Sequence, residues 1–391
     1  MAPTFLRLRD RHVLPLAMFF GTFSWSFVYI SLPFHIQRIS TWDEVSTLAW
    51  SGFILGVPNL FTVAVAPFWG GLAERRNPRR LYVLAQGLQG LAFLGMAVAR
   101  TLPELLVVRI VLGFIGASST FAFVSAGRSE DAAEVRRQVV AVQSAMTVGQ
   151  VIGPLAGAIA AARLGFRESF VVGALILFGC GALVHWGVRD DGEPGRRQGT
   201  VVPARWRDVL VVSVIVLGGS TQVFFLTSIL PQILPLHGVP DDRTLEIGGF
   251  LIFASGVAAA LGSMLASRLG DLVPERRLIP GLLAVSSLFV VGLAAARTVW
   301  PFGVLRFLQV FCIAPVFPIV VARIAQSAGG AAIGVINSAR FGAAFVGPVI
   351  ATSLLAWTSP ATVYLALALV GVGCVPLAGL QLAAARGGRR A

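Results

Sequence analysis

The chain has 391 residues, of which 56% are hydrophobic and 13% charged, and its mean hydropathy is +0.81. This composition excludes a soluble globular protein, because too few polar side chains are available to cover a water-exposed surface. The net charge of +13 would suggest nucleic-acid binding in a soluble protein, but basic cytoplasmic loops of a membrane protein explain it better. We therefore expect an integral membrane protein whose environment is the lipid bilayer, with no nucleic-acid partner.

Hydrophobic runs of membrane-spanning length predict about twelve helices, since roughly 20 apolar residues cross a ~30 Å hydrocarbon core. The only long polar stretch separates six runs from six others. We predict an all-α integral membrane fold of two pseudo-symmetric six-helix halves. Residues 1–188 form the N-terminal bundle, 189–207 a cytoplasmic linker and 208–391 the C-terminal bundle.

In chain order, the first half begins with helix 1, which carries His35 near its outer end. Helix 2 ends near Trp69, and helix 4 starts near Pro103 and continues to a charged loop. In the second half, helix 7 is expected to break near its outer end at Pro231 and Pro235. The remaining predicted limits are about 13–36, 81–99, 168–188, 208–236, 244–268, 278–296, 300–322 and 331–357, with a last helix that ends before residue 386.

The distribution of basic residues predicts the orientation of the chain. All 31 basic residues are arginine, and most fall in the N-terminal tail, the loops after even-numbered helices and the C-terminal tail. Positively charged loops stay on the cytoplasmic side. We therefore expect a multi-pass protein of the bacterial cytoplasmic (inner) membrane with both termini in the cytoplasm.

A charged turn follows helix 2 and reads Gly-Gly-Leu-Ala-Glu-Arg-Arg-Asn-Pro-Arg-Arg over residues 70–80. The order of Gly70, Glu74, Arg75 and Arg79 resembles the signature loop of the major facilitator superfamily, with Glu74 in place of the usual Asp. Such charges can pair with a neighbouring helix end in one conformation and release it in another. The alternative is an ordinary positively charged loop.

Three arginines lie inside predicted membrane helices: Arg109, Arg306 and Arg340. A charged residue there is costly unless it faces water, a partner or the bundle interior. Arg109 followed by Gly113 resembles the helix 4 motif of the same superfamily, and Arg306 repeats it 197 residues later. The resemblance implies arginines of the substrate cavity or of ion coupling. The alternative for Arg306 is a side chain that reaches the membrane surface, and Arg340 could meet either substrate or carbonyls freed at helix breaks.

Helix 5 contains the motif Gly-Gln-Val-Ile-Gly-Pro-Leu-Ala-Gly over residues 149–157. Its glycines recur every four residues and form a flat stripe that a neighbouring backbone can approach closely. A weaker copy lies 194 residues later, which indicates a duplicated chain. The motif resembles the helix 5 signature of the drug:proton antiporters, the exporter branch of the superfamily, and helix packing alone is the alternative. The residues concerned are Gly149, Gly153, Pro154 and Gly157, and in the copy Gly347 and Pro348.

All 18 acidic residues fall in predicted loops, tails or outermost helix turns, so we expect no carboxylate near the middle of the membrane. The candidate proton carriers near the outer ends include His35, Glu104 and Glu246. For each of them a solvated position at the rim is the alternative. Arginines without acids predict a preference for neutral or anionic substrates over cations.

The resemblance covers nearly the whole chain and implies a twelve-helix transporter most like the multidrug exporters. We expect export of small amphipathic molecules by alternating access in exchange for protons, by a monomer. The alternatives are an exporter or flippase of an anionic amphiphile, sugar or siderophore, and a facilitator without proton coupling. An enzyme is disfavoured because the four histidines are scattered without nucleophile–base or metal-ligand spacing, and we expect no cofactor or metal.

Overall fold

The computed structural model of the chain describes residues 5–116, 118–126, 132–188, 206–325 and 330–387. Over these residues the chain forms α-helices joined by short turns, and three of the turns are 3-10 helices. The α-helices are α1 (Phe5–Ile39), α2 (Glu44–Arg75), α3 (Pro78–Val98), α4 (Leu102–Phe114), α5 (Ser118–Ala126), α6 (Ala132–Leu164), α7 (Phe166–Gly187), α8 (Trp206–Phe224), α9 (Leu230–Leu236), α10 (Thr244–Leu272), α11 (Glu275–Gly292), α12 (Val299–Ile313), α13 (Val316–Ala325), α14 (Gly330–Trp357) and α15 (Pro360–Gly387).

Twelve stretches of the described residues are long and apolar enough to cross a membrane, which confirms the predicted number of spans. Large aromatic side chains lie exposed at the ends of these stretches. Trp186, Trp300 and Trp357 are 81%, 74% and 80% exposed, at the ends of α7, α12 and α14. Tryptophan favours the interface between lipid and water, so these positions fit the two surfaces of a bilayer.

The chain divides into two compact units. The first comprises Met1–Thr41, Val57–Gln198 and Gly248–Phe253, and the second comprises Trp42–Gly56, Gly199–Ile247 and Ala254–Ala391. Each unit has its own apolar core, to which α1, α2, α3, α5, α6 and α7 contribute in the first and α8 and α10–α15 in the second. The predicted domain limits follow chain order and stay a prediction, and nearly all of the predicted linker lies outside the described residues.

Among the described residues, three spans are interrupted between two helices, and two of these interruptions were not expected. Helices 4 and 10 were predicted to be continuous, and that prediction is wrong. The first is divided into α4, which ends at Phe114, and α5, and the second into α12, which ends at Ile313, and α13. Helix 7 breaks earlier than predicted, at Phe225. Pro231 is not the cause of that break, because it lies in the first turn of α9, where a missing N–H group costs little.

The charged turn after helix 2 is also shorter than predicted. α2 continues to Arg75, and α3 starts at Pro78, so most of residues 70–80 is helical. Asn77 caps α3, since its side-chain oxygen accepts a hydrogen bond from the N–H group of Arg79 at 2.9 Å. A cap of the same kind starts α2, where hydrogen bonds from Ser46 lower the pKa of the Asp43 carboxyl.

Candidate transport site

Arg109 lies in α4 and is only 2% exposed. Its guanidinium carbon lies 6.0 Å from the ring centroids of both Trp25 and Tyr29 of α1, within the range of cation–π attraction. Both rings are half-buried. The charge therefore lies inside the first unit, beneath two aromatic rings that remain partly accessible.

Gln89 of α3 connects this arginine's neighbours to the end of α4. Its Oε1 accepts a hydrogen bond from the Trp25 Nε1 at 2.8 Å, and its Nε2 donates to the Ile115 carbonyl oxygen at 2.9 Å and to the Ser118 hydroxyl at 2.7 Å. Ile115 is the residue at which α4 stops. Because an interrupted helix leaves carbonyl groups without helical donors, Gln89 supplies a hydrogen bond that the break removes.

Arg306 of α12 is 1% exposed and has main-chain partners in the second unit. Its Nη1 donates to the Gln222 carbonyl oxygen at 2.8 Å and to the Gln309 Oε1 at 2.6 Å, and its Nη2 donates to the Val223 carbonyl oxygen at 2.5 Å. The Phe225 ring centroid lies 5.2 Å from its guanidinium carbon. This burial excludes the alternative that Arg306 extends to the membrane surface.

A polar network surrounds Arg306 and joins four helices. The Gln222 Oε1 accepts from the Ser286 hydroxyl at 3.0 Å, and the Gln222 Nε2 donates to the Ser287 hydroxyl at 2.9 Å and to the Leu367 carbonyl oxygen at 3.0 Å. The Gln309 Nε2 donates to the Ser286 hydroxyl at 3.1 Å. The network therefore links α8, α11, α12 and α15 around one buried charge.

The two arginine environments use equivalent positions in the two halves. In each unit a residue of the first span hydrogen-bonds through its side chain to a side chain of the third span and also contacts the arginine, Trp25 with its ring and Gln222 with its main-chain carbonyl. The sequence analysis identified the two arginines but missed Gln89 and Gln222. Each of these glutamines lies inside an apolar run and has a counterpart 197 residues away in the other half, a spacing that could have identified both. The equivalent pairs, each displaced by 197 residues, are Trp25 and Gln222, Gln89 and Ser286, and Arg109 and Arg306.

The glycine stripe of α6 packs against the backbone of α1. A Cβ atom at Gly153 would lie 2.8 Å from the Phe23 carbonyl oxygen, and one at Gly157 would collide with the Phe27 carbonyl oxygen. Gly149 meets the α1 backbone in the same way. This is the close helix contact that the four-residue spacing predicts.

The other motif glycines make different contacts. A Cβ atom at Gly347 of α14 would lie 3.2 Å from the Thr221 carbonyl oxygen and 3.3 Å from the Phe225 nitrogen, so this copy of the stripe packs less tightly, at the end of α8. A Cβ atom at Gly113 of α4 would lie 2.8 Å from the Pro58 carbonyl oxygen of α2. The prolines of the two motifs, Pro154 and Pro348, are buried, and α6 and α14 continue through them.

The charged turn after α2 contacts the end of α7. The Arg79 guanidinium donates a hydrogen bond to the carbonyl oxygen of His185, in the last turn of α7. Cations favour this end of a helix. Arg75 is exposed, a Cβ atom at Gly70 would meet only open space, and the side chain of Glu74 lies outside the described residues. The turn therefore contacts a helix end through Arg79, and the predicted release of such a contact in another conformation stays a prediction.

His35 is buried, at 2% exposure, so the interpretation as a solvated rim residue is wrong for this position. Its ring centroid lies 5.1 Å from that of Phe170 and 5.6 Å from that of Phe166, both in α7. Among the described residues, neither ring nitrogen has a hydrogen-bond partner. Aromatic packing therefore places this histidine away from water.

The remaining candidates are accessible. Glu104 and Glu246 are exposed in the first turns of α4 and α10, and Glu104 accepts a hydrogen bond from the N–H group of Arg100 at 2.8 Å. Both positions fit the rim. Arg340 is also exposed, and its guanidinium carbon lies 4.9 Å from the ring centroid of Phe317 in α13. Arg340 is therefore the only one of the three arginines whose side chain is exposed.

Comparison with known proteins identifies the family. Residues 14–248, more than half of the chain, match the sequence profile of the Major Facilitator Superfamily. The chain belongs to this superfamily. Among curated facilitator proteins, the multidrug resistance protein MdtG of Serratia proteamaculans (strain 568) is 28% identical over 315 residues, which cover 77% of this chain and 75% of that protein.

Solved structures of facilitator proteins share the fold. A bacterial homologue of the human lysosomal transporter Spinster, in an inward-facing and occupied conformation, is 13% identical with a TM-score of 0.72, and the match covers 98% of this chain and 96% of that one. A D-xylose-proton symporter is 15% identical with a TM-score of 0.69, over 94% and 96% of the two chains. The chain is thus an all-α, multi-pass membrane transporter of the facilitator fold, similar to multidrug resistance proteins of that superfamily.

Proposed function

We propose that the chain exports small amphipathic organic molecules across the cytoplasmic membrane of a bacterium, as a monomeric secondary transporter that takes up protons in exchange. The observation that carries this proposal is the similarity to the multidrug resistance protein MdtG over 77% of the chain. The glycine stripe supports it through its sequence, which resembles the helix 5 signature of the drug:proton antiporters. We also propose that both termini lie in the cytoplasm, because most arginines fall in the tails and in the loops after even-numbered helices.

The mechanism we propose is alternating access, in which the two six-helix halves rock about a central substrate site. The close contact between α6 and α1 makes these two helices move together. The interruptions after α4, α8 and α12 are places where a span can change direction without breaking further hydrogen bonds.

Substrate binding is proposed to centre on Arg109 and its aromatic cover. The half-buried rings of Trp25 and Tyr29 offer a surface on which the apolar part of an amphipathic molecule can pack. The guanidinium beneath them attracts negative charge and repels cations. Arg340, which is exposed, is a second position at which an anionic group can be held.

A second candidate function, export of an anionic amphiphile, is favoured by the placement of charge within the spans. In the described spans, acidic residues occur only among the first six positions, as with Glu104 and Glu246. Arg109 and Arg306, in contrast, each lie seven residues beyond the start of their spans. A cationic substrate would find no counter-charge at that depth.

The experiment that tests both candidates uses purified protein in liposomes under an imposed pH gradient. Uptake is measured for a cation (tetraphenylphosphonium), a neutral compound (chloramphenicol) and an anion (anilinonaphthalene sulfonate), with protein-free liposomes and a protonophore as controls. We expect saturable uptake that collapses with the protonophore and that favours the neutral and anionic probes. Uptake indifferent to the gradient would reject proton exchange, and a preference for the cation would reject the role of the arginines.

A further inference from the structure

Arg306 lies at the break of α8. This helix ends at Phe224, and a 3-10 turn over Leu226–Ser228 leads into α9. The last carbonyl groups of a helix have no donor in the following turn, and no water replaces that donor in the hydrocarbon region. The Arg306 Nη1 and Nη2 supply the hydrogen bonds, to the carbonyl oxygens of Gln222 at 2.8 Å and Val223 at 2.5 Å.

The same contact stabilises the buried charge. Among the described residues, the hydrogen-bond acceptors of Arg306 are these two carbonyls and the Gln309 side chain, and all three are neutral. Carbonyl groups at a helix C-terminus carry the negative end of the helix dipole, which favours a cation. The ring of Phe225, the residue at the break, adds cation–π attraction at 5.2 Å. The break and the arginine therefore stabilise each other.

A closed circuit of hydrogen bonds fixes the direction of the guanidinium. The Gln309 Oε1 accepts from Arg306, and the Gln309 Nε2 donates to the Ser286 hydroxyl. Ser286 donates in turn to the side chain of Gln222, whose own carbonyl is one of the groups that Arg306 caps. Each member restricts the next, so the guanidinium has little freedom to turn elsewhere.

This circuit is inaccessible to a substrate. Gln222, Ser286, Gln309 and Phe225 are each 0% exposed, and Arg306 is 1% exposed. The rings above Arg109, by contrast, are half-buried. Equivalent arginines of the two halves are therefore not equally placed to meet a solute.

We propose that Arg306 is a positioning residue: it caps the end of α8, fixes the direction in which the chain continues into α9, and so controls the rate of conformational change and not the affinity or charge preference for substrate. The kinetic part of this proposal rests on the proposed transport function. The structural part does not.

The structural part is tested by amide hydrogen exchange of the full-length protein in lipid nanodiscs. The variants are Arg306→Met, Arg306→Lys and a control on the same helix, Val304→Ala, whose side chain is 59% exposed. We expect exchange over residues 222–236 to rise about tenfold or more in Arg306→Met, less in Arg306→Lys, which can still cap one carbonyl, and not at all in the control. Wild-type exchange in Arg306→Met would overturn the proposal.

If Arg306→Met does not fold, Gln309→Met tests the same circuit and should raise exchange over the same residues. Unchanged exchange in Gln309→Met would also overturn the proposal.

The kinetic part is tested by transport of chloramphenicol and anilinonaphthalene sulfonate in proteoliposomes. In Arg306→Lys we expect the maximal rate to fall about tenfold for both probes while the half-saturating concentrations stay within about twofold. A rise of about tenfold in the half-saturating concentration of the anionic probe alone would overturn the proposal, because it would place Arg306 in contact with substrate. Absence of transport by the wild-type protein would instead count against the proposed function and leave the exchange result to decide the role of Arg306.

Discussion

Arg109 and Arg306 occupy equivalent positions in the two halves, yet their surroundings differ. Arg109 lies against the rings of Trp25 and Tyr29 of α1, a helix that extends from Phe5 to Ile39. Arg306 lies against the end of a broken helix and caps its carbonyl groups. Both side chains are buried, but the rings next to Arg109 are half-buried, whereas the side chains hydrogen-bonded around Arg306 are fully buried.

The glycine motifs show the same asymmetry. In the first unit, a Cβ atom added at Gly153 would lie 2.8 Å from the Phe23 carbonyl oxygen of α1. In the second unit, a Cβ atom added at its counterpart Gly347 would lie 3.2 Å from the Thr221 carbonyl oxygen of α8. The stripe therefore packs more tightly against the first helix of the first unit than its copy packs against α8.

The largest effect is expected from Arg109→Ala. Loss of the charge beneath Trp25 and Tyr29 should reduce transport by about 100-fold or more, because the proposed site loses its attraction for neutral and anionic amphiphiles. Arg109→Lys is the matched control, since it keeps the charge but not the planar guanidinium, and it should retain intermediate activity. Uptake in proteoliposomes measures both variants, and size-exclusion profiles check folding. Transport by Arg109→Ala within about twofold of wild type would remove this residue from the site.

A second large effect is expected from Gly157→Leu. A leucine there must displace the Phe27 backbone, so the joint movement of α6 and α1 is lost and transport should fall about tenfold or more, with substrate binding less affected. Gly179→Leu on α7 is the control, because a Cβ atom at Gly179 meets only open space. Gly347→Leu, the same change in the second stripe, should cause a smaller loss than Gly157→Leu, because the neighbours of Gly347 lie farther away. Equal losses in the two stripe variants would contradict the asymmetry between the units.

A smaller effect is expected from Gln89→Leu. This change leaves the Trp25 Nε1 and the Ile115 carbonyl oxygen without their glutamine partner. We expect a loss of about 2 kcal/mol in stability, the range for a buried polar group left unsatisfied, and a several-fold loss of transport. Thermal unfolding in detergent measures the stability, and proteoliposome uptake measures transport. Gln89→Glu is the comparison variant, because it keeps an acceptor for the Trp25 Nε1 but loses the donor to the Ile115 carbonyl oxygen. An unchanged unfolding midpoint would show that the end of α4 does not depend on Gln89.

The smallest effect is expected from His35→Phe. Neither ring nitrogen of His35 has a hydrogen-bond partner among the described residues, and its neighbours are the rings of Phe166 and Phe170. A phenylalanine should therefore pack equally well, with transport and its dependence on the pH gradient within about twofold of wild type. If the variant instead transports without regard to the pH gradient, His35 carries the proton, and the aromatic packing account of this residue is wrong.

Much of the fold could be predicted from local properties of the sequence. Twelve spans follow from hydrophobic runs of fixed length, and the packing of Gly153 and Gly157 follows from their spacing on one helix face. These properties require no knowledge of distant partners. The orientation of the chain, the domain limits and the proton carrier stay predictions.

Two of the helix breaks could not be located from the sequence, because the side chains that satisfy their carbonyl groups are distant in the chain. The expected break of helix 7 was placed at the prolines near residue 231, whereas the carbonyl groups at the observed break accept hydrogen bonds from Arg306, more than 80 residues later. At the break after α4, the Ile115 carbonyl oxygen likewise accepts a hydrogen bond from Gln89 of a different helix. The break after α12, in contrast, lies beside Pro315, which is a local signal.

The measurement that tests the central claim most directly is equilibrium binding of anilinonaphthalene sulfonate to purified Arg109→Gln and Arg306→Gln, side by side with wild type. If Arg109 faces the substrate and Arg306 caps α8, the dissociation constant should rise about tenfold or more in Arg109→Gln and stay within about twofold in Arg306→Gln. An equal rise in both variants, or a rise in Arg306→Gln alone, would contradict the claim that the two arginines have separate roles.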